Sequence, residues 1–375
     1  METKHNFVQL AEIQREQRTL YCAGLDPHSF GSPRKNKEIY KMARRIPSVN
    51  ETYWSLLGVM LPKQKRRSDE VYDFVELFSV VEIYLREVIK ILVEKCNIRV
   101  FKPQYGFYEQ FGPIGGVLLM RIRNYIKELE KEKGIRLICI LDCKRGDIAT
   151  TQAGYFRGLM GNLLEDWGIN WAPYDFDIIN VTPWMGSDVM VLGSNDKPGL
   201  GLKLMRQGKG IIGVNKTSNP SGPDYQELSV CEGNWKTLQM CHVKDSYEWT
   251  KCYGLEYDEL STIGLVVGST HPCNGRIRKT FPSTTLLVPG FGAQGGKFSL
   301  IMPELIREGK WNGQGAIFSS SRGTLYPFEK SYDGSGNVNN LEEDLIKAVA
   351  VFREKEEEAY NQPEIINTGI IYPFK

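Results

Sequence analysis

Short apolar or β-branched runs recur along the chain, and each of them ends in polar residues. Eight such runs are present, at residues 20–27, 98–104, 135–144, 176–183, 210–218, 263–270, 284–294 and 315–323. Near-continuous Val, Ile and Leu runs are typical of parallel strands that are covered on both faces. The pattern therefore predicts eight buried parallel strands.

Segments with apolar residues at helical spacing separate many of these runs. They predict helices at residues 69–95, 116–133, 149–166 and 299–309, and a charged final helix at 341–359. Alternating strands and helices indicate an α/β protein with a parallel sheet. Eight repeats favour closure into a (β/α)8 TIM barrel, and an open doubly wound sheet is the alternative.

The length of 375 residues suits either one large barrel or two domains. Two stretches, 28–68 and 218–260, are longer than ordinary loops. Neither contains a pattern typical of an independent core, so both are interpreted as insertions or lids. The sequence thus predicts a single catalytic domain over residues 1–375, with a C-terminal helix and tail over 331–375.

Composition and charge exclude several classes of partner. The chain is 25% charged and 41% hydrophobic, which is ordinary for a globular protein. Its net charge of +2 is too small to indicate binding to nucleic acid or to an anionic membrane. The N-terminal residues lack the apolar core of a secretory signal, and no apolar run approaches the roughly 18 residues that span a bilayer. The eight cysteines form no C-x-x-C pair. We therefore expect a cytoplasmic protein with reduced thiols and no membrane partner.

Metal binding is not predicted. The nearest candidate ligands are Cys241 with His242, and His271 with Cys273. Neither pair has the spacing of a structural zinc site.

Charged residues collect where the second and third runs end. The stretch LDCKRGDIATT (141–151) contains Asp142, Lys144 and Asp147, and Lys102 ends the run before it. Residues two apart on a strand point to the same face, so Asp142 and Lys144 are expected side by side. Carboxylates on either side would keep a secluded Lys144 charged. This set is either a structural salt-bridge network or a proton donor beside fixed negative charge, which suits protonation of a carbanion.

A second group of residues suits an anion. The loop VPGFGAQGG (288–296) follows the seventh run, and SSSRG (319–323) follows the eighth. Loops after strands seven and eight are the usual phosphate site of a TIM barrel. Residues 290–295 also satisfy G-x-G-x-x-G, but the next run ends in Arg322 rather than in the acid that holds a dinucleotide ribose. Phosphate without a nicotinamide dinucleotide is the better interpretation.

These motifs resemble the orotidine 5'-phosphate decarboxylase family, in its longer branch. The resemblance spans roughly residues 18–330 and rests on GLDPH, FKPQYGFYEQFG, LDCKRGDIATT, NVTPWMGSD, NKTSNPSG, GLVVGSTHP, VPGFGAQGG and SSSRG, in the family's order. It implies a charged tetrad of Lys102, Asp142, Lys144 and Asp147, in which Lys144 protonates C6 of the pyrimidine. It also implies substrate-binding residues: Asp26, Thr151, Gly186, Ser187, Pro289, Gln294, Arg322 and Gly323.

The resemblance implies specific roles for these residues. Asp26 and Lys102 would hold the ribose hydroxyls, Gln294 and Arg322 the 5'-phosphate, and Ser187 near Gly186 the pyrimidine. Asp147 and Thr151 would reach into a partner's site, which implies a homodimer with shared active sites. The expected substrate is orotidine 5'-monophosphate and the expected product UMP, without a cofactor.

Two alternatives stay open. A magnesium-dependent phosphosugar decarboxylase or aldolase shares D-x-K-x-x-D, but such relatives generally place a metal-binding glutamate where this chain has Lys102. A catalytically silent nucleotide-binding barrel is the other. UMP binding without turnover would favour it.

Overall fold

The computed structural model describes residues 4–27, 69–161, 172–230, 237–270, 274–290, 297–307, 309–327, 340–370 and 372–374. Eight parallel strands close into a barrel, in the order β1-β10-β9-β8-β5-β4-β3-β2. They are β1 (Tyr21–Gly24), β2 (Val100–Lys102), β3 (Ile138–Arg145), β4 (Ile178–Val181), β5 (Gly210–Lys216), β8 (Ile263–Val267), β9 (Leu286–Val288) and β10 (Ala316–Ser320). A short antiparallel hairpin, β6 (Glu256–Tyr257) with β7 (Leu260–Ser261), precedes β8. The predicted TIM barrel is confirmed, and the open sheet is excluded.

The helices follow the predicted alternation. The longer ones are α1 (Asn6–Gln17), α2 (Asp69–Glu94), α4 (Pro113–Lys133), α5 (Ala149–Leu159), α8 (Leu238–Tyr253) and α12 (Leu341–Tyr360). The shorter ones are α3 (Gly106–Glu109), α6 (Leu200–Arg206), α7 (Pro223–Gln226), α9 (Arg276–Thr280), α10 (Phe298–Ile301), α11 (Arg322–Leu325) and α13 (Pro363–Ile366). Two 3-10 segments cover Pro183–Met190 and Met302–Leu305. No described helix is both long enough and apolar enough to cross a bilayer.

The barrel interior is filled by one side chain from most strands and is closed at its N-terminal end by α1. Val100, Ile140 and Ile178 lie in this inner cluster together with Phe7 and Leu10 of α1. The ring of Phe7 packs so closely on two strands that a Cβ at Gly210 or Gly264 would lie 2.8 or 3.1 Å from it. A second apolar layer joins the outer faces of the strands to the helices. The N-terminal end of the barrel is therefore closed, and the C-terminal end is the one that can hold an active site.

Two sequence-based assignments need correction. The stretch 218–260 is not wholly an insertion, because α8 lies within it and packs against β5 and β8 as a helix of the barrel wall. The predicted helix at 299–309 is instead the four-residue α10 followed by a 3-10 turn, since Pro303 has no N–H with which to continue the α-helical hydrogen bonding. The other predicted insertion, 28–68, lies outside the described residues. A single domain, with 28–68 as one insertion and the part of 218–260 outside α8 as the other, stays a prediction.

Candidate active site

The charged centre of the site lies on an irregular part of β3. Leu141 pairs with Ile179 of β4 and Arg145 pairs with Val181, so four steps along β3 match two steps along β4. This bulge places Lys144 at a positive φ of 49°, which costs a non-glycine residue about 1–2 kcal/mol. Regular strand alternation therefore does not account for the position of Lys144.

Asp142 is the hub of the charged cluster. Its Oδ2 accepts a hydrogen bond from Lys102 Nζ at 3.1 Å, and its Oδ1 is bonded to Lys144 Nζ. Burial favours the neutral acid, but the two ammonium groups and the hydrogen bonds from Lys144 and Asn180 outweigh it and hold the pKa of Asp142 well below its usual range. Asp142 is thus a fixed negative charge between two cations.

Lys102 is almost completely buried, with 3% of its surface exposed. Burial opposes its charged form, but the carboxylates of Asp142 and Asp26 outweigh that effect and raise the pKa of Lys102 above its usual value. Asp26 is itself oriented by the backbone N–H of Gln104 (2.9 Å) and by the Ser321 hydroxyl (2.5 Å). The ends of β1, β2 and β10 are tied together in this way.

Asn180 of β4 was not predicted from the sequence, yet it holds the cluster in place. Its Nδ2 donates to Asp142 Oδ1 (2.6 Å), and its Oδ1 accepts the backbone N–H groups of Cys143 (2.8 Å) and Lys144 (2.7 Å). It therefore fixes both the carboxylate and the bulged backbone that presents Lys144. The available signal was a single amide side chain inside the apolar run FDIINVTP.

Lys144 and Asp147 face more open surroundings. The Lys144 side chain is 44% exposed. The Asp147 carboxylate accepts only the N–H of Ile148 (2.7 Å), and it forms no ion pair with the described residues of its own chain. Thr151 is exposed in the first turn of α5. The structure thus brings together Lys102, Asp142 and Lys144, but not Asp147.

The predicted pyrimidine and phosphate residues surround the same C-terminal end. Gly186 (φ 64°) and Ser187 are exposed on the 3-10 segment after β4. The Pro289 carbonyl after β9 accepts bonds from the N–H and hydroxyl of Ser269, and Arg322 and Gly323 begin α11 after β10. Gln294 lies outside the described residues.

Other polar residues at strand ends have local partners. Lys216 forms an ion pair with Glu227 at 2.9 Å, and the Thr182 hydroxyl donates to the Lys144 carbonyl at 3.2 Å. Within the described residues no three His, Cys, Asp or Glu side chains form a group that could hold a metal ion. The candidate ligands His271 and Cys273 lie outside that part of the chain.

Comparison with known proteins identifies the family. The family model described as "Orotidine 5'-phosphate decarboxylase / HUMPS family" matches residues 21–323. The chain belongs to this family. A curated orotidine 5'-phosphate decarboxylase, that of Caldicellulosiruptor bescii, is 33% identical over 255 residues, which cover 68% of this chain and 75% of the relative. The resemblance drawn from the motifs is therefore confirmed.

Solved structures of orotidine 5'-phosphate decarboxylases share the fold. The enzyme of Plasmodium berghei superimposes with a TM-score of 0.64 at 17% identity, covering 97% of this chain and 100% of that one. The enzyme of Leishmania donovani gives a TM-score of 0.56 at 20% identity, covering 94% and 97% of the two chains. At these identities the likeness supports the barrel architecture alone.

Proposed function

We propose that this protein is a carboxy-lyase that converts orotidine 5'-monophosphate to UMP and carbon dioxide, as a step of pyrimidine biosynthesis. The observation that carries the proposal is the array Lys102–Asp142–Lys144 at the C-terminal end of the barrel. It presents an ammonium group beside a carboxylate that stays ionised. Membership of the decarboxylase family and the names of the relatives point to the same reaction.

The array suits decarboxylation followed by protonation. When the bond between C6 and the substrate carboxylate breaks, its electron pair stays on C6 and carbon dioxide leaves. Lys144 Nζ then donates a proton to C6, and its positive charge stabilises the developing carbanion beforehand. Asp142 and Lys102 hold Lys144 in position, so no large rearrangement accompanies the step.

The magnesium-dependent alternative is disfavoured by Lys102. Its ammonium group is buried against Asp142 at 3.1 Å, and its charge would repel a divalent cation at this carboxylate. The silent nucleotide-binding alternative would leave the array without a function, although burying Lys102 and Asp142 carries a desolvation cost.

Substrate contacts follow from the positions around the array. Asp26 and Lys102 are assigned to the ribose hydroxyls, Arg322 and Gln294 to the 5'-phosphate. Gly186 and Ser187 are assigned to the pyrimidine, and Pro289 and Gly323 to the loops that enclose the substrate. Binding of the phosphate would position the ring over Lys144 and so contribute to catalysis.

A homodimer with shared sites is the assembly we propose. Asp147 has no cationic partner among the described residues of its own chain, and the neighbouring Ile148, Trp184 and Met185 are 55%, 68% and 46% exposed. Apolar side chains exposed together favour a protein partner. A second copy seated there would receive Asp147 and Thr151 near its own lysines. Cys22, Cys96, Cys139 and Cys143 are buried free thiols, which supports a reducing, cytoplasmic location.

The direct test is the fall of orotidylate absorbance with purified protein in metal-free buffer. We expect turnover by the wild type and none by Lys144→Ala, because that variant lacks the proton donor. Lys203→Ala, which removes an exposed lysine of α6, is the matched control and should turn over normally. Near-normal decarboxylation by Lys144→Ala would contradict the mechanism, and activity only after magnesium addition would favour the sister enzymes.

Shared sites are tested by mixing two inactive variants. Asp147→Ala and Lys144→Ala chains, unfolded together and re-dimerised, would form heterodimers with one complete site. Random pairing then restores roughly a quarter of the wild-type activity, because half the dimers are mixed and each holds one intact site of two. No recovery, with heterodimers demonstrated by differential tagging, would contradict shared sites.

A further inference from the structure

A second charged cavity lies at the N-terminal end of the barrel, opposite the charged array. Its volume is ≈ 660 Å³, and its lining includes Arg278, Lys279, Ser283 and Arg307. Ser283 lies just before β9, and both arginines approach Gly315, just before β10. The cavity is thus separate from the site assigned to orotidylate.

Arg278 of α9 is buried in the lining of this cavity. Its guanidinium forms no salt bridge with a carboxylate of the described residues. Its Nε donates to the Glu304 carbonyl (2.7 Å), and its Nη1 donates to the carbonyls of Pro282 (2.7 Å) and Thr284 (2.6 Å). Only 4% of the residue is exposed. Carbonyl dipoles satisfy its donors, but they do not neutralise its charge.

Arg307 adds a second buried guanidinium next to the first. It is 8% exposed, its Nη2 donates to the Pro282 carbonyl, and its Nη1 has no hydrogen-bond partner within the described ranges of the chain. A Cβ built on Gly315 would lie 2.9 Å from Arg307 Nη1 and 3.1 Å from Arg278 Nη2, so the two cations converge there. Burial lowers the pKa of Arg307 to about 10, and burial and repulsion by Arg307 hold the pKa of Arg278 well below its usual value.

The acids around the cavity offset the arginine charges only in part. Glu256 and Glu259 line it and favour the charged form of Arg307, but burial outweighs them and its pKa stays lowered. Glu256 pairs with Lys251 (3.2 Å), and Glu259 accepts the N–H of Lys310 (3.1 Å). Glu304 accepts the N–H of Arg278 (2.8 Å), and burial raises its pKa, which favours its neutral form. In the part of the chain that the structure describes, neither guanidinium has a salt bridge to a carboxylate. Ser283 Oγ, in a residue 6% exposed, is a further buried atom for which the described residues supply no hydrogen-bond partner.

We propose that this cavity is a second anion site, which binds a phosphate-sized oxyanion between Arg278, Arg307 and Ser283. The unpartnered Nη1 and hydroxyl would donate to its oxygens, and its negative charge would offset the two guanidinium groups. The same chemistry is offered by inorganic phosphate and by a small phosphate monoester. Because the site joins the Met302–Leu305 segment to the starts of β9 and β10, its occupation stabilises the fold and leaves turnover unchanged.

The test measures Tm against added inorganic phosphate in an Arg322→Ala background, which removes the guanidinium assigned to the substrate phosphate. We expect a rise in Tm of about 1–3 °C at ten times the dissociation constant. Adding Arg307→Gln should abolish this rise, whereas adding the exposed control Lys203→Ala should preserve it. In an otherwise wild-type chain, Arg307→Gln should leave kcat and KM for orotidylate unchanged.

A second variant covers the case in which Arg307→Gln fails to fold. Ser283→Asp places a carboxylate at the cavity, so its Tm should be higher without phosphate and should no longer respond to phosphate. Glycerol 3-phosphate tested beside inorganic phosphate distinguishes the sources: a larger response to the ester assigns a monoester, and an equal or smaller one assigns the free ion. No rise in Tm with either anion, or an equal rise in Arg307→Gln or Ser283→Asp, would overturn the proposal.

Discussion

Replacing Asn180 by alanine should damage catalysis without removing any group that touches the substrate. The change deletes one hydrogen bond to the ionised Asp142 and leaves the N–H groups of Cys143 and Lys144 without their acceptor. A hydrogen bond to a charged group contributes about 1.5–3 kcal/mol. If that energy orients Asp142 toward Lys144 during reaction, its loss lowers kcat by about 10- to 150-fold.

KM should change by less than about threefold, because Arg322, which is assigned to the phosphate, lies in α11 rather than on β3 or β4. The unfolding free energy should fall by about 2–5 kcal/mol, since two backbone donors lose their acceptor and Lys144 keeps its positive φ only with this support. Initial rates over a range of orotidylate concentrations, with urea unfolding of the same sample, separate the two effects.

Asn180→Asp is the matched control. Its carboxylate can still accept both backbone N–H groups, but it cannot donate to Asp142 and places a second negative charge beside it. We expect a fold more stable than that of Asn180→Ala, a kcat at least as low, and a pH profile altered by the paired carboxyl groups. A kcat within twofold of the wild type for Asn180→Ala, or full activity of Asn180→Asp, would refute the positioning role.

Three further predictions concern stability. Burial raises the pKa of Glu356 to about 7. Its contribution to the free energy of unfolding is therefore fully present below the pKa of the unfolded chain and is lost as the pH rises through 7. Glu356→Gln should therefore match the wild type near pH 4 and exceed it by about 3 kcal/mol at pH 8, and equal urea midpoints at both pH values would contradict this. Burial lowers the pKa of His242 to about 4, so its contribution is present above pH 6.5 and is lost as pH falls toward 4. His242→Asn should flatten that acid dependence, and an unchanged slope of stability against pH would contradict it. A Cβ at Gly201 would lie 1.8 Å from the Met190 carbonyl oxygen, whereas one at Gly158 meets nothing within 4 Å. Gly201→Ala should thus lower stability by about 3 kcal/mol and Gly158→Ala should not, as thermal unfolding would show.

The strands were predictable because each one carries its signal in its own residues. Every barrel strand contains a short apolar run, as expected of parallel strands that pair inside a shell of helices. Helix α8 shows the opposite case. Its buried positions are Gln239, Met240, Val243, Ser246 and Thr250, and three of these five are polar. No apolar stripe marks this helix, and for that reason the sequence pattern predicts an insertion at 218–260.

The site residues also divide into those whose position follows from their own run and those whose position depends on strand pairing. Lys102 and Asp142 were predictable because a charged residue that ends an apolar run must lie at the barrel mouth. The bulge that turns Lys144 toward Asp142 was not, because it depends on how β3 pairs with β4. Asn180 acts through the same pairing. Its hydrogen bonds form only when β4 lies beside β3, and a sequence pattern does not predict that contact.

The two ends of the barrel differ in how the charge of their buried cations is compensated. One site holds its own counter-charges, and the other lacks them. At the C-terminal end, Lys102 lies against Asp142 and near Asp26, so its charge is compensated within the chain. At the N-terminal end, Arg278 and Arg307 share one cavity, where their guanidinium groups donate to carbonyl oxygens and form no salt bridge with the described residues. Burying an uncompensated charge costs several kcal/mol. A chain that compensates one buried cation with its own carboxylates and leaves two others facing a cavity is best explained if the missing negative charge comes from a ligand.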